Sequence, residues 1–316
     1  MSFSFHANTL AFGGQLEEAG CAKQFLPSQA SVTLPPEGGF GESAISNYCE
    51  NGVSFYRAES RVYGNSFQDR LFKTYANVTV YGLDIAGVIK ADVLSASITS
   101  INERLAGCTS ESRISFDATI VGLVIDGFPY DVQLDTAPFL KYGTFSEFTD
   151  SVSRMDEGEV RSLAAAYNWP FEECHTVIRS LQQGEPDRTV FHVPNRCRTG
   201  LRATLLRDIV PALHEDVTPP LKRQGFTIEV PGLGVVHLAE VMLTTGRRGI
   251  NLLRVERGKS LEEAIFLSDA QPPSTGENRL RAVAVDETAE LTAAADLTGG
   301  YTVVHAVGNG TDFGPP

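Results

Sequence analysis

The sequence predicts a mainly β, sandwich-like protein that carries one helical insert. Three observations predict it. Short alternating apolar runs are punctuated by glycine and proline. One such run is repeated. A single stretch, residues 144–184, changes to helical spacing.

The first region, 1–143, reads as strands. Leu34-Pro35-Pro36-Glu37-Gly38-Gly39 and Tyr63-Gly64-Asn65 are turns, and Val53-Ser54-Phe55-Tyr56 alternates as a half-buried strand does. Within it, Thr79-Val80-Tyr81-Gly82-Leu83-Asp84-Ile85-Ala86-Gly87 recurs 40 residues later as Thr119-Ile120-Val121-Gly122-Leu123-Val124-Ile125-Asp126-Gly127. A strand is expected to end or bend at the first glycine. The Leu-x-Ile pair places two side chains on one face, and the second glycine suits a turn with positive φ. The spacing therefore predicts a duplicated hairpin unit, with ordinary hairpin punctuation as the simpler account. Two copies are too few for a solenoid.

In the insert, Thr144 is placed to cap a first helix and Asp156-Glu157 to start a second, which carries Val160, Leu163, Ala164 and Tyr167. A third is expected from Phe171 to Gln183, with Phe171, Cys174, Val177, Ile178 and Leu181 on one stripe and Trp169 in the core. Region 185–268 returns to strands, with one helix expected from Arg202 to His214. Phe226 to Val230, Val235 to Leu243 and Ile250 to Val255 are its strands. Region 269–316 is rich in Pro, Gly, Thr and Ala and reads as irregular, ending in a loose tail from Gly308 to Pro316.

The chain has 316 residues and a formal charge of −13, so it repels phosphates; neither nucleic acid nor membrane insertion is expected. No run of 18 apolar residues would span a bilayer, and Met1 to Asn8 lacks the features of a secretory signal. That predicts a cytoplasmic protein, with an extracellular or cell-surface location as the alternative. Cys21, Cys49, Cys108, Cys174 and Cys197 are odd in number and lack CxxC spacing, so buried or idle thiols are expected, with bridges only on export.

No motif identifies catalytic residues, a metal site or a cofactor. His6, His175, His192, His214, His237 and His305 show no metal-binding spacing. In Glu172-Glu173-Cys174-His175, successive helical side chains diverge by about 100° and cannot converge on one ion. GxSxG, GxxxxGK[ST] and a strand-flanked GxGxxG are all missing. Two local features can bind. Arg247 and Arg248 sit in an expected turn, with Arg254 on the partner strand; guanidinium groups grip carboxylate or phosphate. The plainer reading is a solvated basic turn. Asp84, Asp92, Asp126 and Asp131 lie in turns with oxygen ligands for Ca²⁺, outside the EF-hand pattern.

The run Gly82 to Ala96, followed by Ile120 to Gly127, resembles the choice-of-anchor domains of bacterial surface and secreted proteins. There a Gly-Leu, apolar, Gly, then Ala-Asp-x-Val pattern precedes a Gly-Leu-x-Val-x-Gly strand. The resemblance covers about a quarter of the chain. It implies a bacterial β protein of the cell exterior without assigned catalytic residues. The reading that follows is a non-catalytic structural or self-assembling protein, a homo-oligomer. A carbohydrate- or small-ligand-binding module taking a glycan or small anion stands second, and an enzyme third.

Overall fold

The computed structural model describes residues 2–16, 24–105, 108–166, 200–212, 221–224, 227–244, 248–258 and 300–313. These residues form two nine-stranded antiparallel sheets packed face to face, the sandwich-like β class that the sequence predicts.

Sheet I contains β1 (Ser2–Leu16), β2 (Gln24–Gln29), β3 (Val32–Thr33), β12 (Gly200–Thr204), β14 (Lys222–Gln224), β15 (Thr227–Val230), β16 (Gly234–Thr244), β17 (Arg248–Arg257) and β18 (Gly300–Phe313). Its order is β14-β15-β16-β17-β18-β1-β2, with β12 beside β16 and β3 beside β1. Sheet II contains β4 (Gly39–Glu50), β5 (Val53–Phe67), β6 (Leu71–Ile85), β7 (Ile89–Leu105), β8 (Cys108–Thr109), β9 (Arg113–Val121), β10 (Leu123–Ile125), β11 (Phe128–Leu134) and β13 (Leu206–Pro211). Its order is β13-β11-β10-β7-β6-β5-β4, with β8 and β9 also beside β7.

Aromatic side chains join the layers. Phe3 of β1 stacks on Phe72 of β6 at 4.1 Å, with Phe5 edge-on to both. Phe12 of β1 meets Tyr48 and Phe55 of the β4–β5 hairpin. Removing one such buried ring costs about 3–5 kcal/mol.

Three short helices follow β11. Helix α1 (Ala137–Lys141) lies against β9 through Phe116 and Phe139. Helix α2 (Phe145–Val152) starts at Thr144, whose Oγ1 accepts the Glu147 N–H at 3.1 Å. Helix α3 (Glu157–Ala166) opens with a reciprocal pair: Asp156 Oδ1 accepts the Glu159 N–H, and Glu159 Oε2 accepts the Asp156 N–H. Val160, Leu163 and Ala164 are buried. The expected third helix, with Trp169 and its apolar stripe, lies outside the described residues.

Two expectations are corrected. Arg202 to His214 is not a helix over its described part; it contributes β12 to sheet I and β13 to sheet II. The chain changes layer at buried Leu205, whose N–H donates to Ala239 O while its carbonyl accepts the Asp135 N–H. A short apolar run does not distinguish helix from strand by itself, and here the backbone needs of both sheets decide. The expected irregular end is also wrong where it is described: Gly300–Phe313 is β18, paired on both sides, with β1 and β17. Ladder pairing along its length outweighs the weak strand preference of its glycines.

Candidate functional site

Of the three arginines proposed as a grip, Arg247 lies outside the described residues, and the other two face internal carboxylates. Arg248 is 1% exposed, and its Nη2 donates to Glu111 Oε1 at 3.0 Å. Burial pulls its guanidinium down to about 10, with the Glu111 charge opposing. The same Glu111 carboxylate accepts the backbone N–H groups of Phe145 and Ser146 and so closes the start of α2. Arg248 thus ties sheet I to a helix start rather than presenting a charge to solvent.

Arg254 lies in a second internal group. Its Nε and Nη2 donate to the two oxygens of Glu240 at 2.7 and 2.9 Å, and its Nη1 donates to Glu256. His237, directly across from Arg254, has Nε2 at 3.4 Å from Glu256 and Nδ1 at 3.2 Å from Thr227 Oγ1. Alternation puts His237, Arg254 and Glu256 on the face opposite Val236, Leu238, Leu253 and Val255. Ala239, at φ 51°, interrupts the pleat just before Glu240. Burial raises the Glu256 carboxyl, but the His237 hydrogen bond and the Arg254 charge outweigh it and hold it at about 2. Two carboxylates, one guanidinium and one imidazole form a compact network whose members partner one another.

The outer face of sheet II is different: it is open. In β5, β6 and β7, inward residues such as Val62, Val78 and Ile98 are buried, and their neighbours are exposed or half-buried. The outward rows run straight across the strands. One is Phe40, Tyr63, Tyr75, Thr99 and Ser115; the next is Glu42, Arg61, Asn77, Ser97 and Asp117. Tyr63 and Tyr75 stack at 5.0 Å, and Thr79 and Ser95 share a hydrogen bond of 2.8 Å.

This face is broken by a crease that sequence reasoning did not find. On five adjacent strand lines, two successive residues face out: Ser46-Asn47, Tyr56-Arg57, Tyr81-Gly82, Asp92-Val93 and Val121-Gly122. The buried positions change phase there, from Val80 to Leu83, from Leu94 back to Ala91, and from Ile120 to Leu123. Left-handed residues on alternate strand lines make the change: Asn47 at φ 55°, Gly82 at 63° and Gly122 at 64°. The repeat is therefore aligned about β7, with Thr79 and Thr119 both opposite Ser95, and Tyr81 and Val121 both opposite Val93. The first glycine of the repeat does not end β6, which continues to Ile85; it reverses the strand's facing. Both second glycines have positive φ, in turns of residues 86–88 and 126–127. The readable signal was the phase shift in apolar alternation beside each Gly-Leu.

The crease exposes Tyr56 at 68%, Tyr81 at 36% and Val121 at 47%, with Asn47, Arg57 and Asp92 beside them. Gly82, next to Tyr81 in the chain, packs close to Tyr56: a Cβ there would lie 3.3 Å from Tyr56 Cβ. Of the aspartates considered for Ca²⁺, Asp84 instead accepts the Gly87 N–H and pairs with Lys90. Among the described residues, no three His, Cys, Asp or Glu side chains are placed to hold a metal ion, and no helix is long and apolar enough to cross a membrane. Of the thiols expected to be buried or idle, Cys49 is free and exposed.

Comparison with curated proteins finds no match, and neither does comparison with solved structures. A family model matches residues 3–244, a span that includes both repeat copies, the crease and strands of both sheets. The chain belongs to that family, which is described as a domain of unknown function, DUF8256.

Proposed function

We propose that the protein is a non-catalytic binding module that takes a neutral glycan across the crease of sheet II. The observation that carries the reading is the exposure of Tyr56 and Tyr81 beside Gly82, on an open face that also presents Asn47, Arg57 and Asp92. Tyrosine offers an apolar ring with a polar tip, which suits the C–H faces and hydroxyl rims of a sugar. Asn47 and Asp92 supply acceptors and Arg57 donors for those hydroxyls. The formal charge of −13 disfavours an anionic ligand, and Arg248 and Arg254 already hold internal carboxylates.

A glycan array probed with the full chain, followed by calorimetry on the best neutral oligosaccharide, tests the reading. Tyr56→Ala and Tyr81→Ala should each weaken binding about tenfold, equivalent to about 1.4 kcal/mol, without changing the unfolding midpoint. An array without binding, or affinity unchanged in both variants, would reject it. A structural role through self-association rests on a different part of the molecule, the β4 edge.

A further inference from the structure

We infer that β4 is an interface: it pairs antiparallel with β4 of a second copy across a two-fold axis, joining two sheets II into one. The inference is independent of the glycan reading, and position 44, where it is tested, is not among the residues proposed for the glycan.

It starts from how the ends of the two sheets are finished. An open strand end presents unpaired N–H and C=O groups, and proteins blunt it with short strands, proline or lysine, or cover it. Three of the four ends of the two sheet paths are blunted. The 6-residue β2 contains Pro27. The 6-residue β13 carries Arg207 and Asp208 and ends on Pro211. The 3-residue β14 is Lys222-Arg223-Gln224. Helix α1 packs on β9 through Phe139 and Phe116. β4 is the exception. It has 12 residues, contains no proline, lysine or arginine, and carries charge only at Glu42 and Glu50. Phe40, on its outer face, is 62% exposed.

The strand is also complementary to itself. Side chains share a face in an antiparallel pair only when the register is chosen from alternate settings. Centring on Glu42 opposes two carboxylates. Centring on Ala44 brings left-handed Asn47 into the ladder opposite Gly41. Centring on Ser43 does neither: Glu42 meets the partner's Ala44, small Gly41 meets the partner's Ile45, and Phe40 meets the partner's Ser46. Each Glu42 keeps its own Arg61 on β5, 4.0 Å away. A second copy satisfies the backbone along Phe40–Ser46 and buries both copies of Phe40 beside the new ladder, in the closed symmetric arrangement usual for homodimers.

Position 44 gives a test specific to this register, because its side chain is exposed and lies opposite the partner's Glu42. Ala44→Glu sets like charges across the axis twice, and Ala44→Lys sets opposite charges twice. Light scattering after size exclusion, on the full chain from micromolar to near-millimolar concentration, should show the wild type moving toward twice the 34.2 kDa chain mass. Ala44→Glu should weaken the dimer about tenfold and Ala44→Lys tighten it by a similar factor, with both effects shrinking in high salt. Glu59 on β5 also faces position 44, so the unfolding midpoint of each variant is followed in parallel to confirm folding. A wild type that keeps the chain mass throughout would overturn the inference. So would a dimer that both variants leave unchanged or shift in the same direction.

Discussion

Gly122→Ala tests the crease. Gly122 has φ 64°, and a Cβ added there would lie 2.1 Å from Asp92 Oδ2, 2.5 Å from Asp92 Cγ and 3.0 Å from Asp92 Cβ. Two costs follow. Holding alanine in the left-handed region costs about 1–2 kcal/mol. Asp92 must also rotate, at about 0.5–1.5 kcal/mol if it leaves its staggered well. The total is about 1.5–3.5 kcal/mol, without a desolvation contribution because Asp92 is exposed. Gly127→Ala provides the comparison: φ is 80° and nothing lies within 4 Å, so it should cost the backbone part alone. Urea unfolding followed by circular dichroism should place Gly122→Ala about 1 kcal/mol below Gly127→Ala. In an Asp92→Ala background the gap should narrow, since the two closest contacts are removed. Equal costs for the two glycines, or a gap indifferent to Asp92→Ala, would refute the account of the crease as a left-handed residue packed on Asp92.

Two further outcomes follow from the buried charges. Glu111→Ala should cost about 3 kcal/mol or more, because it takes a carboxylate from buried Arg248 and a cap from α2, whereas Arg248→Met should cost less because the buried charge leaves with it; thermal unfolding that ranks them in the opposite order would show that the ion pair is not the link. The depressed Glu256 carboxyl, at about 2 against an ordinary 4.5, contributes stability that is fully present above pH 4.5 and is lost as pH falls toward 2, by about 3 kcal/mol in total. Glu256→Gln should therefore flatten the fall in melting temperature between pH 5 and 3, and parallel curves for the two proteins would contradict it.

The sandwich and its hairpins were legible because each depends on neighbours in sequence. Alternation in Val53 to Phe55, the cap at Thr144 and the positive-φ glycines Gly87 and Gly127 are local facts that the fold uses directly. Thr79 to Ile85, Phe226 to Val230 and Val235 to Leu243 each carry a single charge, so an unpaired edge at any of them would need cover. The described strands over them, β6, β15 and β16, have neighbours on both sides, so those segments need no further cover. Among the described strands the path end left unblunted is β4, whose Ser-Ala-Ile-Ser-Asn centre is poor in strand-favouring residues. β18 was missed because its glycines read as a loop, while its pairing with β1 and β17 joins segments far apart in sequence.

The arginines show the same limit in electrostatic form. From sequence, Arg248 and Arg254 differ in no visible way from a solvent-facing grip, because a guanidinium recognises an internal carboxylate and a ligand's carboxylate by the same geometry. What separates the two cases is the position of the partner. Glu111 is 137 residues from Arg248, and Glu240 is 14 residues from Arg254. The nearer pair is in principle readable, since a hairpin joining β16 and β17 brings position 240 opposite 251, close to 254. The farther pair requires the whole sandwich, with α2 placed against the start of β17. The surface proposed for the glycan accordingly lies away from the most conspicuous charges, at a change of phase where Tyr56 and Tyr81 face outward because Asn47, Gly82 and Gly122 reverse the pleat around them.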